Sequence, residues 1–205
     1  MVKIKICGIT SSDDIEIINN VLPEYAGFVM FFPKSKRNIT PQRASLLLNL
    51  LDSRIKSVAV TVNPTPAQIS TAKSCGFDYV QIHGEASDDV IINSPLPILK
   101  AFNVSDICDF ERYADLPNVR GFVFDANSPG SGKTFDWSIL KNIPRNDKLF
   151  ILAGGLNEQN VCKAIDTARP DAVDVSSGVE SDTPPLKDAQ KVENFVRLVR
   201  LHHCS

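Results

Sequence analysis

Short apolar runs alternate along the chain with polar stretches in which apolar residues recur at helical spacing. Eight runs stand out: Lys3–Cys7, Ala26–Phe31, Ser57–Val62, Tyr79–His83, Ile98–Phe102, Gly121–Asp125, Leu149–Ala153 and Ala172–Ser176. They are rich in Val, Ile and Phe and no longer than six residues, as parallel strands covered on both faces are. Between them, helices are predicted over Asp13–Val21 after Ser11 or Ser12, Pro41–Leu51 after Thr40, and Pro66–Ser74 before Gly76. Further helices are predicted over Glu158–Ala168 after the cap Asn157, and over Asp188–Leu201, which lines up Val192, Phe195, Val196 and Val199. Ser87–Asn93, Ser105–Tyr113 and Trp137–Lys141 carry weaker helical patterns.

Strict β-then-α alternation indicates a parallel sheet. Eight units allow it to close as a single-domain (β/α)8 barrel over residues 1–205, with an open doubly wound sheet as the other arrangement. In a barrel, function gathers at the C-terminal ends of the strands. The unusual residues fall there: Cys7-Gly8, Asn63, His83-Gly84, Asp125, Gly154-Gly155 and Ser176-Ser177-Gly178.

Composition narrows the partners. The chain has 205 residues, 43% of them hydrophobic, and a formal net charge of −2. No basic stripe points to nucleic acid, and no apolar run reaches the ~20 residues of a membrane span. The N-terminal apolar run is too short for a signal peptide. Five scattered cysteines without a CxxC pair fit reduced thiols and a cytoplasmic location. Monomer and homodimer are equally compatible with the sequence.

The polar tips suggest chemistry. The loops after the last two strands, each expected to open a helix, offer backbone N–H groups to a phosphate through Gly154, Gly155, Ser177 and Gly178. The structural alternative is that these glycines only make tight turns. Cys7 and Asp125 are candidates for an acid–base pair facing one ligand. A positive neighbour would lower the thiol toward the thiolate, and an apolar mouth would raise the carboxyl. Free cysteine is, however, more often buried and inert. His83 is placed to donate a hydrogen bond, and Arg37 to grip a carboxylate. His202, His203 and Cys204 form a terminal cluster best read as a frayed tail. No residue spacing calls for a metal.

The stretch Asn127–Trp137, "NSPGSGKTFDW", comes close to a P-loop. That motif needs a glycine five positions before Gly132, where Asn127 stands, and a long helix after it, which Pro144 forbids. A P-loop phosphotransferase is therefore the weaker alternative, and a non-catalytic phosphate-binding barrel is the other.

Six stretches, "KICGIT", "SKRNITP", "VQIHG", "GSGKTFDW", "LAGGLNEQNV" and "VDVSSGVES", together resemble the phosphoribosylanthranilate isomerase family of tryptophan biosynthesis. The resemblance spans the chain in order and implies a (β/α)8 barrel working without cofactor or metal on a small phosphorylated substrate. It implies an aldose–ketose isomerase, an intramolecular oxidoreductase that performs an Amadori rearrangement. Asp125 would be the general acid, Cys7 the general base, and Arg37 the contact to the anthranilate side. Gly154, Gly155, Ser177 and Gly178 would hold the phosphate. Pro129 and Pro185 depart from the family pattern, and neither replaces an acid–base residue.

Overall fold

A computed structural model describes residues 1–103, 110–126 and 134–202. The strands are β1 (Lys3–Cys7), β2 (Tyr25–Met30), β3 (Asn38–Ile39), β4 (Lys56–Val62), β5 (Tyr79–His83), β6 (Ile98–Asn103), β7 (Val119–Asp125), β8 (Leu149–Leu152) and β9 (Ala172–Val175). All pairings are parallel, and β1 pairs with both β2 and β9. The sheet is therefore a closed barrel of eight strands, with the two-residue β3 attached outside it to β2. Each predicted run is a barrel strand, with ends moved by no more than two residues. β3 has no counterpart in the pattern, because two residues show no periodicity.

The helices are α1 (Ser12–Val21), α2 (Pro41–Leu48), α3 (Pro66–Cys75), α4 (Asp88–Ile92), α5 (Phe110–Ala114), α6 (Val161–Ala168) and α7 (Ala189–His202). Local chemistry explains their starts. Ser11, Thr40, Thr65 and Ser87 each accept a hydrogen bond from the first turn, and proline opens α2 and α3. The expected start of α6 is corrected. Asn157 accepts from Gln159 N at 3.0 Å and builds a turn, so the helix begins at Val161 with Asn160 before it. Trp137–Asn142 is a 3-10 helix rather than an α-helix. Six residues of 3-10 geometry cannot supply the helix N-terminus that a P-loop needs. The loop residues 127–133 themselves, with Pro129, lie outside the described residues, as do Cys108, His203 and Cys204. His202 is paired, its Nε2 lying 2.8 Å from Asp166 Oδ1.

Alternation along the strands divides the interior in two. Ile4, Ile6, Phe28, Ile82, Phe122, Phe124 and Phe195 belong to the large core between barrel and helices. Cys7, Tyr25, Val58, Val60, Leu99, Ala101, Val123, Ile151, Ala153 and Ala172 form a smaller core inside the barrel. Burying these side chains stabilises the fold by ~1.5–3 kcal/mol for each large one. For the site, the alternation means that residues two apart on a strand share the barrel interior.

Candidate active site

At the C-terminal ends of the strands the barrel interior opens into a cavity of about 600 Å³. Cys7, Arg37, His83, Asp125, Gly154, Gly155 and Ser177 all line it. Sequence positions from 7 to 177 thus converge on one space, as the barrel rule requires. Gly178 belongs to the loop packing behind it. A Cβ there would collide with Leu156 O, so this glycine lets the loops after β8 and β9 touch. The expectation that both loops open directly into helices is also corrected. Ser177–Val179 is one turn of 3-10 helix, and α6 starts six residues after Gly155.

Cys7 ends β1 and Asp125 ends β7, three strands apart around the barrel through β9 and β8. Both are about nine-tenths buried, at 8% exposure. Burial and the nearby Asp174 charge push the Asp125 carboxyl up to about 6, although Ala126 N donates to its Oδ1 at 2.7 Å. The Cys7 thiol is also pushed up by burial, more than Lys5 and Lys187 pull it down. This corrects the expectation of a thiolate in the resting site: positive neighbours are present, yet desolvation outweighs them.

Arg37 is held in the loop between β2 and β3. Its Nε lies 2.5 Å from Glu180 Oε1, while Lys36 Nζ lies 2.8 Å from Glu180 Oε2. The Arg37 side chain crosses Gly8, where a Cβ would come within 2.5 Å of Arg37 Cδ. Its Nη2 is buried and has no partner among the described residues. A buried guanidinium nitrogen without an acceptor is costly, and a ligand carboxylate in the cavity would satisfy it. Burial opposes the charge on Glu180, but Arg37, Lys36 and Lys187 together hold its carboxyl below the usual range.

His83 is neutral, pushed down to about 3 by burial and by the charges of Lys5 and Lys100. Its Nε2 lies 2.7 Å from Gln81 Nε2. Lys100 Nζ donates to Gly84 O at 3.0 Å and so fixes the turn that follows. A neutral imidazole in this position serves as a hydrogen-bond partner, not as a charge.

Five residues that sequence reasoning passed over complete the site. Lys5 is fully buried and bonded to Asp174 at 2.7 Å. Glu180 anchors Arg37 across 143 residues of chain. Lys187 donates from Nζ to Ser176 O at 3.1 Å, and its backbone N donates to Asp14 Oδ1 at 2.8 Å. Asp14 also accepts from Thr10 N at 2.8 Å, tying the loop after β1 to the strap before α7. The available signal was the alternation itself: Lys5 shares a face with Cys7, and Asp174 shares one with Ser176.

The comparisons with known proteins bear on this geometry. The sequence model of N-(5'phosphoribosyl)anthranilate (PRA) isomerase matches residues 4–198. The chain belongs to that family. An N-(5'-phosphoribosyl)anthranilate isomerase from Thermoanaerobacter sp. (strain X514) is 44% identical over 206 residues, covering 98% of each chain. The crystal structure of phosphoribosyl anthranilate isomerase from Thermotoga maritima superimposes with a TM-score of 0.86 at 36% identity, covering 98% of this chain and 99% of that one. A structure of the enzyme in complex with reduced 1-(o-carboxyphenylamino)-1-deoxyribulose 5-phosphate gives a TM-score of 0.82 at 36% identity, with the same coverage.

Asp125 supplies a stability test. Its folded pKa is raised, so folding favours the protonated form and is weakened as pH rises from about 4 through about 6. Asp125→Asn is expected to stabilise the protein by about 1–3 kcal/mol at pH 8 and by almost nothing at pH 4. Urea unfolding at the two pH values checks this; equal effects at both would show that the carboxyl is not strained in its site.

Proposed function

We propose that this chain converts N-(5-phosphoribosyl)anthranilate to 1-(2-carboxyphenylamino)-1-deoxyribulose 5-phosphate, in L-tryptophan biosynthesis. The observation that carries the reading is the convergence of Cys7, Asp125 and Arg37 on one cavity. Family membership supports it. The whole chain acts as one domain, in the cytoplasm, where Cys7, Cys75 and Cys162 remain free thiols.

In the proposed mechanism Arg37 pairs with the anthranilate carboxylate. Backbone N–H groups of Gly154, Gly155 and Ser177 receive the phosphate, with Gly178 letting their two loops close together, and His83 hydrogen-bonds to the substrate. Anchoring both ends holds the sugar between the acid and the base, which removes much of the entropic barrier. The Asp125 carboxyl gives its proton to the furanose ring oxygen as the C1′–O bond breaks, leaving a Schiff base. Cys7 takes the proton from C2′, and the electron pair flows to the Schiff-base nitrogen to give an enolamine. Loss of the C2′ hydroxyl proton with protonation at C1′ then yields the ketone. No atom is gained or lost, as an isomerisation demands. Each positioned group contributes ~10²–10⁴-fold.

This chemistry requires a thiolate and a carboxylic acid at once, the reverse of their resting states near neutral pH. Below about 6 the thiolate fraction falls tenfold per pH unit while Asp125 stays protonated. Above the raised thiol pKa the acid fraction falls tenfold per unit while the thiolate saturates. Lys5 and Asp174 face both groups, and Lys187 also faces Cys7. The expected kcat/KM profile is a bell with its acid limb near 6 and its alkaline limb above the ordinary thiol range. A rate that is flat from pH 5 to 9 would contradict it.

Turnover itself is followed by the loss of anthranilate-type fluorescence when the protein meets freshly generated substrate. Wild-type protein is expected to turn over. Folded Cys7→Ala and Asp125→Asn should each lose about 10²-fold or more in kcat, whereas Arg37→Ala should mainly raise KM. A silent wild type that binds phosphate ligands would leave a non-catalytic phosphate-binding barrel as the correct account.

A further inference from the structure

We propose that Lys5 is a positioning residue for the Cys7 base, an ammonium held against the thiol by Asp174, with Gly27 leaving the space in which the two meet. The use of this arrangement rests on the isomerase reading; its chemistry does not.

Register places the parts. Lys5 stands opposite Asp174 across the β1–β9 pairing, and Cys7 stands opposite Gly27 across the β1–β2 pairing. Lys5 and Cys7 are two residues apart, so both point into the barrel. A Cβ on Gly27 would lie 2.8 Å from Cys7 Sγ and 3.0 Å from Lys5 Nζ. Sulfur and ammonium therefore share the volume that any other residue at position 27 would fill. The Lys5 charge acts on the thiol in the direction of the thiolate.

The energetics make a purely structural role poor. Lys5 is completely buried, and the neighbouring interior is apolar: Val58, Val60, Val123 and Ile151. Replacing a buried ion pair with packed apolar residues is often neutral or stabilising, so stability alone does not account for a lysine here. Burial opposes the Lys5 charge, yet Asp174 and the Cys7 sulfur outweigh it and keep the amine protonated. One oxygen of Asp174, Oδ1, has no partner among the described residues, and the other accepts from Lys5 Nζ at 2.7 Å.

The arrangement gives the base a poised charge. When Cys7 takes the C2′ proton, its negative charge before transfer is matched by an ammonium that needs no rearrangement. Asp174 tempers the pull, because its own charge disfavours the thiolate. Lys187, from the strap before α7, adds a second positive charge facing the sulfur, and Arg37 crosses Gly8 beside it.

Lys5 and Asp174 therefore act on the thiol with opposite signs. The test titrates Cys7 without substrate, by the pH dependence of iodoacetamide alkylation at the Cys7 peptide, resolved by mass spectrometry. Lys5→Met is expected to move the apparent thiol pKa up by about one unit or more. Asp174→Asn is expected to move it down, since the thiolate then becomes the counter-ion of the ammonium. In turnover, Lys5→Met should lose about tenfold or more in kcat with little change in KM, its alkaline limb following the thiol. An unmoved thiol in folded Asp174→Asn, or shifts of the same sign in both variants, would overturn the proposal even if Lys5→Met does not fold. Opposed shifts with a silent wild-type isomerase assay would support the clamp and sink the isomerase reading. Turnover with an unmoved thiol would do the reverse.

Discussion

β1 hydrogen-bonds to β2 on one side and to β9 on the other, and this double pairing closes the barrel and sets its register. A slip of one residue at either seam would turn Lys5 and Cys7 outward into the apolar layer beneath the helices. With the register as it is, Lys5 meets Asp174, Cys7 meets Gly27, and the thiol reaches the cavity that Asp125 enters from β7. Tyr25 and Tyr79, in edge contact at 5.9 Å, lie at the opposite end of the interior. The same alternation that fills the barrel with Val and Ile thus delivers Lys5, Cys7, Asp125 and Asp174 to the other end.

Those groups are held in a tense balance. Burial raises both Cys7 and Asp125, lowers Lys187 to about 8 and lowers His83 to about 3. Near neutral pH the Asp125 and Lys187 shifts cost folding stability, whereas Cys7 and His83 are neutral in the folded and unfolded chain alike, and perturbed groups of this kind collect at sites that do chemistry. The anchors are built differently. Glu180 orients Arg37 by a short charged contact, while Asp14 and Lys187 tie the loops after β1 and β9 together. Rigid supports for a partly unsatisfied cavity are what preorganised binding of an anionic ligand needs.

Much of this was legible in the chain. Buried parallel strands are written as short apolar runs, and helix starts as Ser or Thr before a polar turn. Both signals are local, so the eight strands and the caps Ser11 and Thr40 could be read directly, with the barrel as one of two arrangements they allow. Cys7, Asp125, His83 and the glycine loops were legible because a polar residue or glycine ending an apolar run is conspicuous, and Arg37 because a guanidinium in a strand-following loop can grip a carboxylate. Lys5 and Asp174 were not, since a charged residue inside a run reads as facing outward until the barrel is closed. Glu180 and Lys187 find Arg37 and Asp14 only through contacts of more than 140 residues' separation, which no local pattern encodes. The start of α6 was misplaced because Asn157 and Asn160 are both good turn formers and only backbone geometry separates them.

In the proposed complex one cavity holds both ends of the substrate and presents its C2′ between Cys7 and Asp125. Crystallising the wild-type protein with reduced 1-(o-carboxyphenylamino)-1-deoxyribulose 5-phosphate tests this most directly. The predicted result places the carboxylate on Arg37 Nη2 and the phosphate against Gly155 and Ser177. The sugar carbons would then lie between Cys7 Sγ and the Asp125 carboxyl. A phosphate bound away from the loops after β8 and β9, or a C2′ out of reach of Cys7, would contradict it.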